Sequence, residues 1–540
     1  MTKPWTLLLA ALCVPGVAAA QVSATCDAQR EVDKYQLLRR LSLDLRGRIP
    51  SYDELTALDG EADVPAATVK AYLASDDFRL TMRRYHEEHF WPNVSNVALN
   101  NVNAQLVLLG GTDIWAISSA GKRRQLRGAS DINTTLGPQC GDFEQTQFTQ
   151  PGFVPAAAGI RTTVVNGVTV KQEGWRYVTP YWDPTARIKV CAFDAMETTS
   201  VTVSGKAIAC NTVEGDARPE CGCGPGLAYC YGPVAQVRNV IHAAMREQLM
   251  RMVDEVSTGG KPYTTLLTAR NAPVNGPLLF WKKNLAPHLS LARIYAAPDP
   301  NEPTPTVDFT DTAWTTQDRG SPLHAGVLTT PAYLLRFQTN RGRANRFRID
   351  FECESFVPPS QLETPAADGC SADSGDLTKR CTCRYCHRQL EPMAAGWGQF
   401  AEAGTTLMTD LTLFPRMRAN CVNSANAFCR RFFVTADDAD NPGALLPYQY
   451  ADAQHPDITA ALAAGPKGRV NAIIANGTFA KCAVKRAWAA LMKREMRVAG
   501  TEVDELDELD TLATGFAANN YSLPWLFEQI VSQPAYRRVR

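Results

Sequence analysis

One short stretch, Cys381 to Met393, constrains this chain more than any other. It reads Cys-Thr-Cys-Arg-Tyr-Cys-His-Arg-Gln-Leu-Glu-Pro-Met. Within it, Cys383, Cys386 and His387 have the Cys-x-x-Cys-His spacing of a c-type haem attachment site. Two thiols three positions apart on a tight turn can reach the two vinyl groups at one edge of a porphyrin, and the imidazole that follows lies under the iron as its proximal ligand. We therefore predict one haem c, bound covalently through Cys383 and Cys386, with His387 as the axial iron ligand.

Two other chemistries use the same residue types. Cys381, Cys383, Cys386 and His387 also match a zinc knuckle, because thiolates and imidazole are preferred ligands of zinc. The cysteines are equally suited to be halves of disulfides in a Cys-rich exported chain. The haem interpretation is favoured because the five-residue pattern fits the attachment rule without adjustment.

The N-terminus predicts export. Lys3 precedes a short apolar run and the exit Ala18-Ala-Ala20, so residues 1–20 are typical of a secretory signal peptide. The apolar run is too short for an ordinary membrane span, and we expect a soluble periplasmic or extracellular protein. Cys26 offers a site for lipid anchoring, but Ser23-Ala-Thr25 is a poor match to the residues that usually precede a lipidated cysteine, so this alternative is disfavoured.

Length and charge limit the fold and the partners. Lys+Arg and Asp+Glu balance at 55 each, so nothing favours a nucleic-acid partner. With 540 residues the chain is too long for one core. We predict a mainly α multidomain protein with helical modules, a cytochrome c-like haem module and a small disulfide-rich β insertion. The expected segments are the signal peptide 1–20, an N-terminal helical module 21–99, a β-rich Cys-containing insertion 100–233, a helical module 234–355, the c-type haem module 356–465 and a C-terminal helical module 466–540.

Several local patterns support this organisation. Ser51 and Glu54 form a capping box at a helix start, and Ser75 can cap the helix that follows. That helix carries His86 and His89, which we interpret as packing residues rather than metal ligands. Methionines in the helical stripe Val237–Val256 are likewise interpreted as core.

Strand and loop signals concentrate in the predicted insertion. Asn166-Gly167 between two β-branched runs predicts a hairpin. The residue types in 187–193 and in 200–209 predict further strands. The basic run Arg341–Arg348 is interpreted as a solvated helix face, or as a group of cations near haem propionates.

Cysteine usage predicts disulfides. Thirteen cysteines remain after removal of the signal peptide and the two haem-linked residues, and most should pair in an oxidising compartment. The favoured pairs are Cys421–Cys429 and pairs within 210–230, although connectivity does not follow from sequence.

Taken together, several stretches resemble the planctomycete-type multidomain cytochromes c. The similar segments are 37–50, 74–78, 326–334, 386–400 and 477–536, including a Cys-His-x-x-Leu-Glu-Pro signature followed by Gln-Phe. The resemblance covers about two-thirds of the chain and implies a single haem module, but it supplies no reaction. This chain departs from the usual pattern at Glu391, where Asp is usual, and at Ala394, where Gly is usual.

Three functions are compatible with these features. Electron transfer to or from an extracytoplasmic redox partner protein is favoured, because a single Cys-x-x-Cys-His motif argues against dihaem peroxidase-type enzymes. The alternatives are a haem-dependent oxidoreductase, acting on peroxide, oxygen or another substrate, and a surface structural protein with a vestigial haem. No pattern assigns catalytic residues.

The ligand on the far side of the iron discriminates between electron transfer and catalysis. Met417 is the preferred distal candidate, because Pro415 fixes the chain just before it. Met408 and His455 are the alternatives. Met393 is too close to His387, since the chain is expected to leave the proximal helix at Glu391-Pro392.

Overall fold

The computed structural model describes residues 31–99, 104–117, 140–146, 161–165, 168–216, 218–286, 302–356, 370, 372, 377–402, 404–407, 421–423, 425, 456–500 and 504–538. In these ranges the protein is predominantly helical, with small sheets. The helices are α1 (Lys34–Arg46), α2 (Tyr52–Ala57), α3 (Ala66–Leu73), α4 (Asp76–Phe90), α5 (Val213–Asp216), α6 (Arg238–Ser257), α7 (Thr265–Thr268), α8 (Gly276–Phe280), α9 (Pro331–Arg336), α10 (Asn340–Phe347), α11 (Arg384–Ala395), α12 (Pro456–Ala475), α13 (Thr478–Met492), α14 (Leu506–Ala518) and α15 (Leu523–Val531). The strands are β1 (Leu106–Leu108), β2 (Ile114–Ile117), β3 (Cys140–Glu144), β4 (Arg161–Val165), β5 (Val168–Val178), β6 (Ile188–Cys191), β7 (Ser200–Val203), β8 (Lys206–Ala209), β9 (Asn271–Val274) and β10 (Thr315–Asp318).

The N-terminal helices begin where their capping residues predict. Ser51 accepts a hydrogen bond from Glu54 N, and the Glu54 carboxylate accepts one from Ser51 N, which completes the predicted capping box of α2. Ser75 Oγ accepts from Phe78 N and begins α4. These side chains satisfy backbone N–H groups that have no partner within the helix.

One buried apolar cluster draws residues from helices along the whole described chain. It includes Leu41 in α1, Met245 in α6, Ala394 in α11, Val484 in α13 and Ile530 in α15. The predicted packing role of the α6 methionines is therefore confirmed. No helix in the described part of the chain is both long and apolar enough to cross a membrane. The predicted signal peptide and Cys26 lie outside the described residues.

A polar junction joins α4, α10 and α13. Arg346 Nε donates to the carbonyl of His89 at 2.7 Å, and Arg486 Nη1 donates to His89 Nδ1 at 2.9 Å. Both arginines also contact Asp350, at 2.8 and 3.4 Å. Asp350 is only 4% exposed, and the two pairs compensate in part for the burial of its charge. The expectation that His89 packs rather than binds metal agrees with these contacts.

The predicted β insertion contains two sheets within its described residues. The larger follows the order β1-β2-β6-β5-β3, with β4 also paired to β5. Val165 opposes Val168 in the antiparallel β4–β5 pair, as the predicted hairpin requires, and the two loop residues lie outside the described part. β7 and β8 form a second hairpin, in which Ser204 and Gly205 have φ of 48° and 80°. Positive φ at both turn residues suits the twist of a two-residue hairpin.

The disulfides include local and distant pairs. They are Cys210–Cys221, Cys223–Cys230, Cys370–Cys381 and Cys353–Cys482. The first two confirm the pairing predicted within 210–230. Cys421 is also disulfide-bonded, and Cys429, its predicted partner, lies outside the described residues.

The basic run in α10 is not a solvated face. Arg343 is fully buried, and its guanidinium donates to the carbonyls of Leu334, Phe337 and Ala401 at 3.1, 2.9 and 2.8 Å. The prediction of a solvated face is therefore wrong for this residue. Irregular backbone buried beside α10 needs hydrogen-bond donors, and the five N–H groups of arginine can serve several carbonyls at once.

Candidate functional site

The Cys-x-x-Cys-His motif forms the first turn of α11. Cys383 is the N-cap residue, and Cys386 and His387 follow within that turn. The start of the helix is held by the Cys370–Cys381 disulfide, whose Cys381 is 3% exposed.

The two motif cysteines are free thiols. Cys383 and Cys386 are both partly exposed and outside any disulfide. By contrast, Cys381 Sγ is bonded to Cys370, so it is not available as a thiolate ligand. The four-donor zinc knuckle considered from the sequence therefore loses one donor, whereas structural zinc takes four. Among the described residues, no group of three or more His, Cys, Asp or Glu side chains is arranged to hold a metal ion.

His387 is oriented by a buried acid on the same helix. Its Nδ1 lies 2.6 Å from Glu391 Oε1, and Arg341 Nε from α10 donates to the same oxygen at 2.7 Å. An ionised carboxylate only accepts hydrogen bonds, so the imidazole proton lies on Nδ1. The lone pair of Nε2 is then the one available to a metal. The His387 side chain is 18% exposed, whereas that of Glu391 is 3% exposed.

The motif helix is longer than expected. Pro392 lies inside α11, which continues to Ala395, so the prediction that the chain leaves the helix at Glu391-Pro392 is wrong. A proline here removes one helix hydrogen bond, to the carbonyl of the exposed Arg388. Met393 lies on the same helix as His387, which agrees with its rejection as a ligand from the opposite face.

Segments that carry the sequence resemblance contact each other around α11. Trp397 Nε1 donates to the carbonyl of Leu328 at 3.1 Å, and Arg343 donates to the carbonyl of Gly404 at 3.2 Å. Glu402 Oε1 accepts from Asn340 N at 2.8 Å, at the start of α10. The chain that follows the motif is thereby attached to the segment 326–347.

The distal candidates Met417, Met408 and His455 all lie outside the described residues, so the choice among them stays a prediction. Sequence reasoning placed Arg341 in a basic run but missed its contact with Glu391, and it missed the contact of Glu391 with His387. The spacing of His387 and Glu391 by four positions on one helix was the available signal, because side chains four apart are neighbours on a helix surface.

The residues present fit a covalently attached haem. Two thiols without disulfide partners stand at the required spacing, and the tautomer of His387 leaves Nε2 for a metal. No family model matches this chain, and neither curated proteins nor solved structures give a match. The resemblance to the planctomycete-type cytochromes c therefore stays a prediction from the sequence.

Proposed function

We propose that this protein is an exported monohaem c-type cytochrome that transfers electrons to or from an extracytoplasmic redox partner. The observation that supports it is the state of the motif cysteines. Nine other cysteines in the described chain are disulfide-bonded. Cys383 and Cys386 are outside any disulfide, as is Cys140 in β3, but of these three only the motif thiols share a helical turn with a histidine, His387. Disulfides on this scale are typical of an oxidising compartment, which agrees with export.

The chain would hold the haem by three bonds. The thiols of Cys383 and Cys386 would each add sulfur and hydrogen across one vinyl group, and His387 Nε2 would bind the iron. The bound group supplies a one-electron Fe(III)/Fe(II) couple. Glu391 keeps the imidazole in the required tautomer and orientation.

Haem staining after denaturing electrophoresis and a pyridine haemochrome spectrum test the attachment. The protein should be exported from a host competent in cytochrome c maturation. We expect a stained band in the wild type that Cys386→Ala weakens or removes. Cys140→Ala is the matched control, because Cys140 is a thiol outside the motif. An unstained wild-type band with zinc found by elemental analysis would reject the proposal.

One observation favours the alternative of a haem-dependent oxidoreductase. His387 Nδ1 lies 2.6 Å from the Glu391 carboxylate; a contact of this kind would make a metal-bound imidazole a stronger electron donor and would stabilise oxidised iron. The distal side decides between the two functions. With Met417 as distal ligand, the ferric protein shows a sulfur-to-iron charge-transfer band in the near infrared that Met417→Ala abolishes. Absence of that band in the wild type, with rapid binding of cyanide or peroxide, would favour the oxidoreductase.

A further inference from the structure

Two histidines of this protein use different acceptors for Nδ1. His86, which is buried, has Nδ1 2.7 Å from the backbone carbonyl of Met82, four residues earlier. His387 has Nδ1 2.6 Å from the carboxylate of Glu391, four residues later. A neutral carbonyl is therefore sufficient to satisfy a packed histidine on a helix of this protein. The charged acceptor at His387 adds an electrostatic effect that packing does not require.

The carboxylate of Glu391 is held in an unusual way. The residue is 2% exposed, and Oε1 receives both His387 and Arg341, whereas Oε2 has no hydrogen-bond partner within the described residues. Leaving a buried carboxylate oxygen unpaired costs free energy. Arg341 compensates for the charge but not for the unpaired oxygen. A residue kept at such a cost, in contact with the axial ligand, points to a role at the iron.

We propose that Glu391 is a positioning residue that gives the axial imidazole partial anionic character and thereby lowers the reduction potential of the haem. This inference rests on the proposed haem attachment. A carboxylate that accepts the Nδ1 proton raises the basicity of the metal-bound Nε2, and the effect is stronger in a buried site of low dielectric constant. A more basic ligand stabilises Fe(III) over Fe(II), so reduction becomes less favourable.

The length of the Glu391 side chain allows both of its contacts. An aspartate at this position would be one methylene shorter. In this chain the longer side chain bridges a full helical turn to reach His387 and Arg341 simultaneously.

Equilibrium redox titration of the holoprotein tests this role. Glu391→Gln keeps the shape and removes the charge, and we expect it to raise the equilibrium constant for reduction about tenfold, about 59 mV upwards for one electron. In a five-coordinate ferrous form, its Fe–imidazole stretching frequency in resonance Raman spectra should also fall. Glu354→Gln is the matched control, because Glu354 pairs with Arg348 at 2.6 Å and its side chain is 57% exposed. This control should leave both readouts unchanged.

A second variant, Arg341→Gln, tests the same role if Glu391→Gln does not fold. Arg341→Gln leaves the Glu391 carboxylate to His387 alone, so the potential should shift downwards, and Arg348→Gln is its control. A wild type without covalent haem would reject the proposed function and this inference together. Covalent haem with unchanged potentials and stretching frequencies in the Glu391 and Arg341 variants would overturn the inference alone.

Discussion

The β-rich region (residues 104–233) and the helical body (helices α1–α4 and α6–α15) use disulfides in different ways. In the β-rich region, Cys210–Cys221 and Cys223–Cys230 close loops of 11 and 7 residues. The helical body has a local pair as well, Cys370–Cys381, but its Cys353–Cys482 disulfide joins residues 129 positions apart. The β-rich region has only small buried clusters, whereas the helical body has an extended one. Local disulfides therefore reinforce a region with little core, while the distant one closes a long segment of a region that has its own core.

The distant disulfide also encloses the candidate site. Cys353 follows a π-helical turn that extends α10, and Cys482 lies in α13. The whole motif from Cys381 to Met393 lies between them, so this disulfide closes the long loop of chain that carries the motif. This arrangement limits the freedom of the motif segment in the unfolded chain.

Removal of the distant disulfide should have the largest effect on stability. Cys353→Ala with Cys482→Ala is expected to lower the free energy of unfolding by about 5 kcal/mol, because the entropy gained by the unfolded chain grows with loop length. The matched control, Cys210→Ala with Cys221→Ala, should cost about 3 kcal/mol. Guanidinium titrations followed by fluorescence measure both. Equal losses in the two variants would contradict the loop-length comparison.

Local features were predictable from sequence, and distant contacts were not. The capping box at Ser51 and the strands of the β4–β5 hairpin follow from residue types within a few positions of each other. The pairing of Cys353 with Cys482 depends on the packing of α13 against the turn after α10, which spacing does not contain. Arg343 was misplaced because a charged residue is usually exposed, whereas here buried carbonyls require its donors.

At the candidate site, too, the local motif could be predicted from the sequence and the contact between distant helices could not. Cys383, Cys386 and His387 are predicted from spacing alone, because haem attachment demands a fixed short spacing of the two thiols and the imidazole. Arg341 comes from another helix, and its contact with Glu391 appears only when α10 packs against α11. The attachment of haem itself is still a prediction.

Acidification should weaken the helical body before the β-rich region. Burial lowers the pKa of His86 to about 4, so the unfolded chain takes up a proton at higher pH than the folded chain. The contribution of neutral His86 to the free energy of unfolding is present above about pH 6.5 and is lost as the pH falls towards 4. Between pH 7 and pH 5 this loss is about 2 kcal/mol. Burial lowers the pKa of His89 and His324 in the same direction. Residues 104–233 contain no histidine.

Two residues near the buried histidines, Asp350 and Tyr263, affect the expected pH dependence. Asp350 opposes the histidines, because burial raises its pKa to about 7, and it offsets about as much as one of them. Tyr263 Oη, 3.1 Å from His86 Nε2, is the neighbour that protonation would disturb. Amide hydrogen exchange at pH 7 and pH 5, corrected for intrinsic rates, should show lost protection in α4 and α6 first. Earlier loss in β5 and β6 would contradict the expectation, and His86→Phe should reduce the pH dependence.

The smallest expected effect concerns the turn between β7 and β8. Gly205 has a φ of 80°, and a Cβ added there would meet no heavy atom within 4 Å, so Gly205→Ala tests backbone conformation without a steric clash. A left-handed alanine should cost about 1 kcal/mol. Gly60 has equal space and no positive φ, so Gly60→Ala should change stability by less than about 0.5 kcal/mol. Because Cys210–Cys221 holds the chain just after β8, the loss should appear as faster hydrogen exchange within 200–209, with exchange in the helical body unchanged. If Gly60→Ala costs as much as Gly205→Ala, the loss does not come from the left-handed turn; if exchange in the helical body also rises, the two regions are not independent.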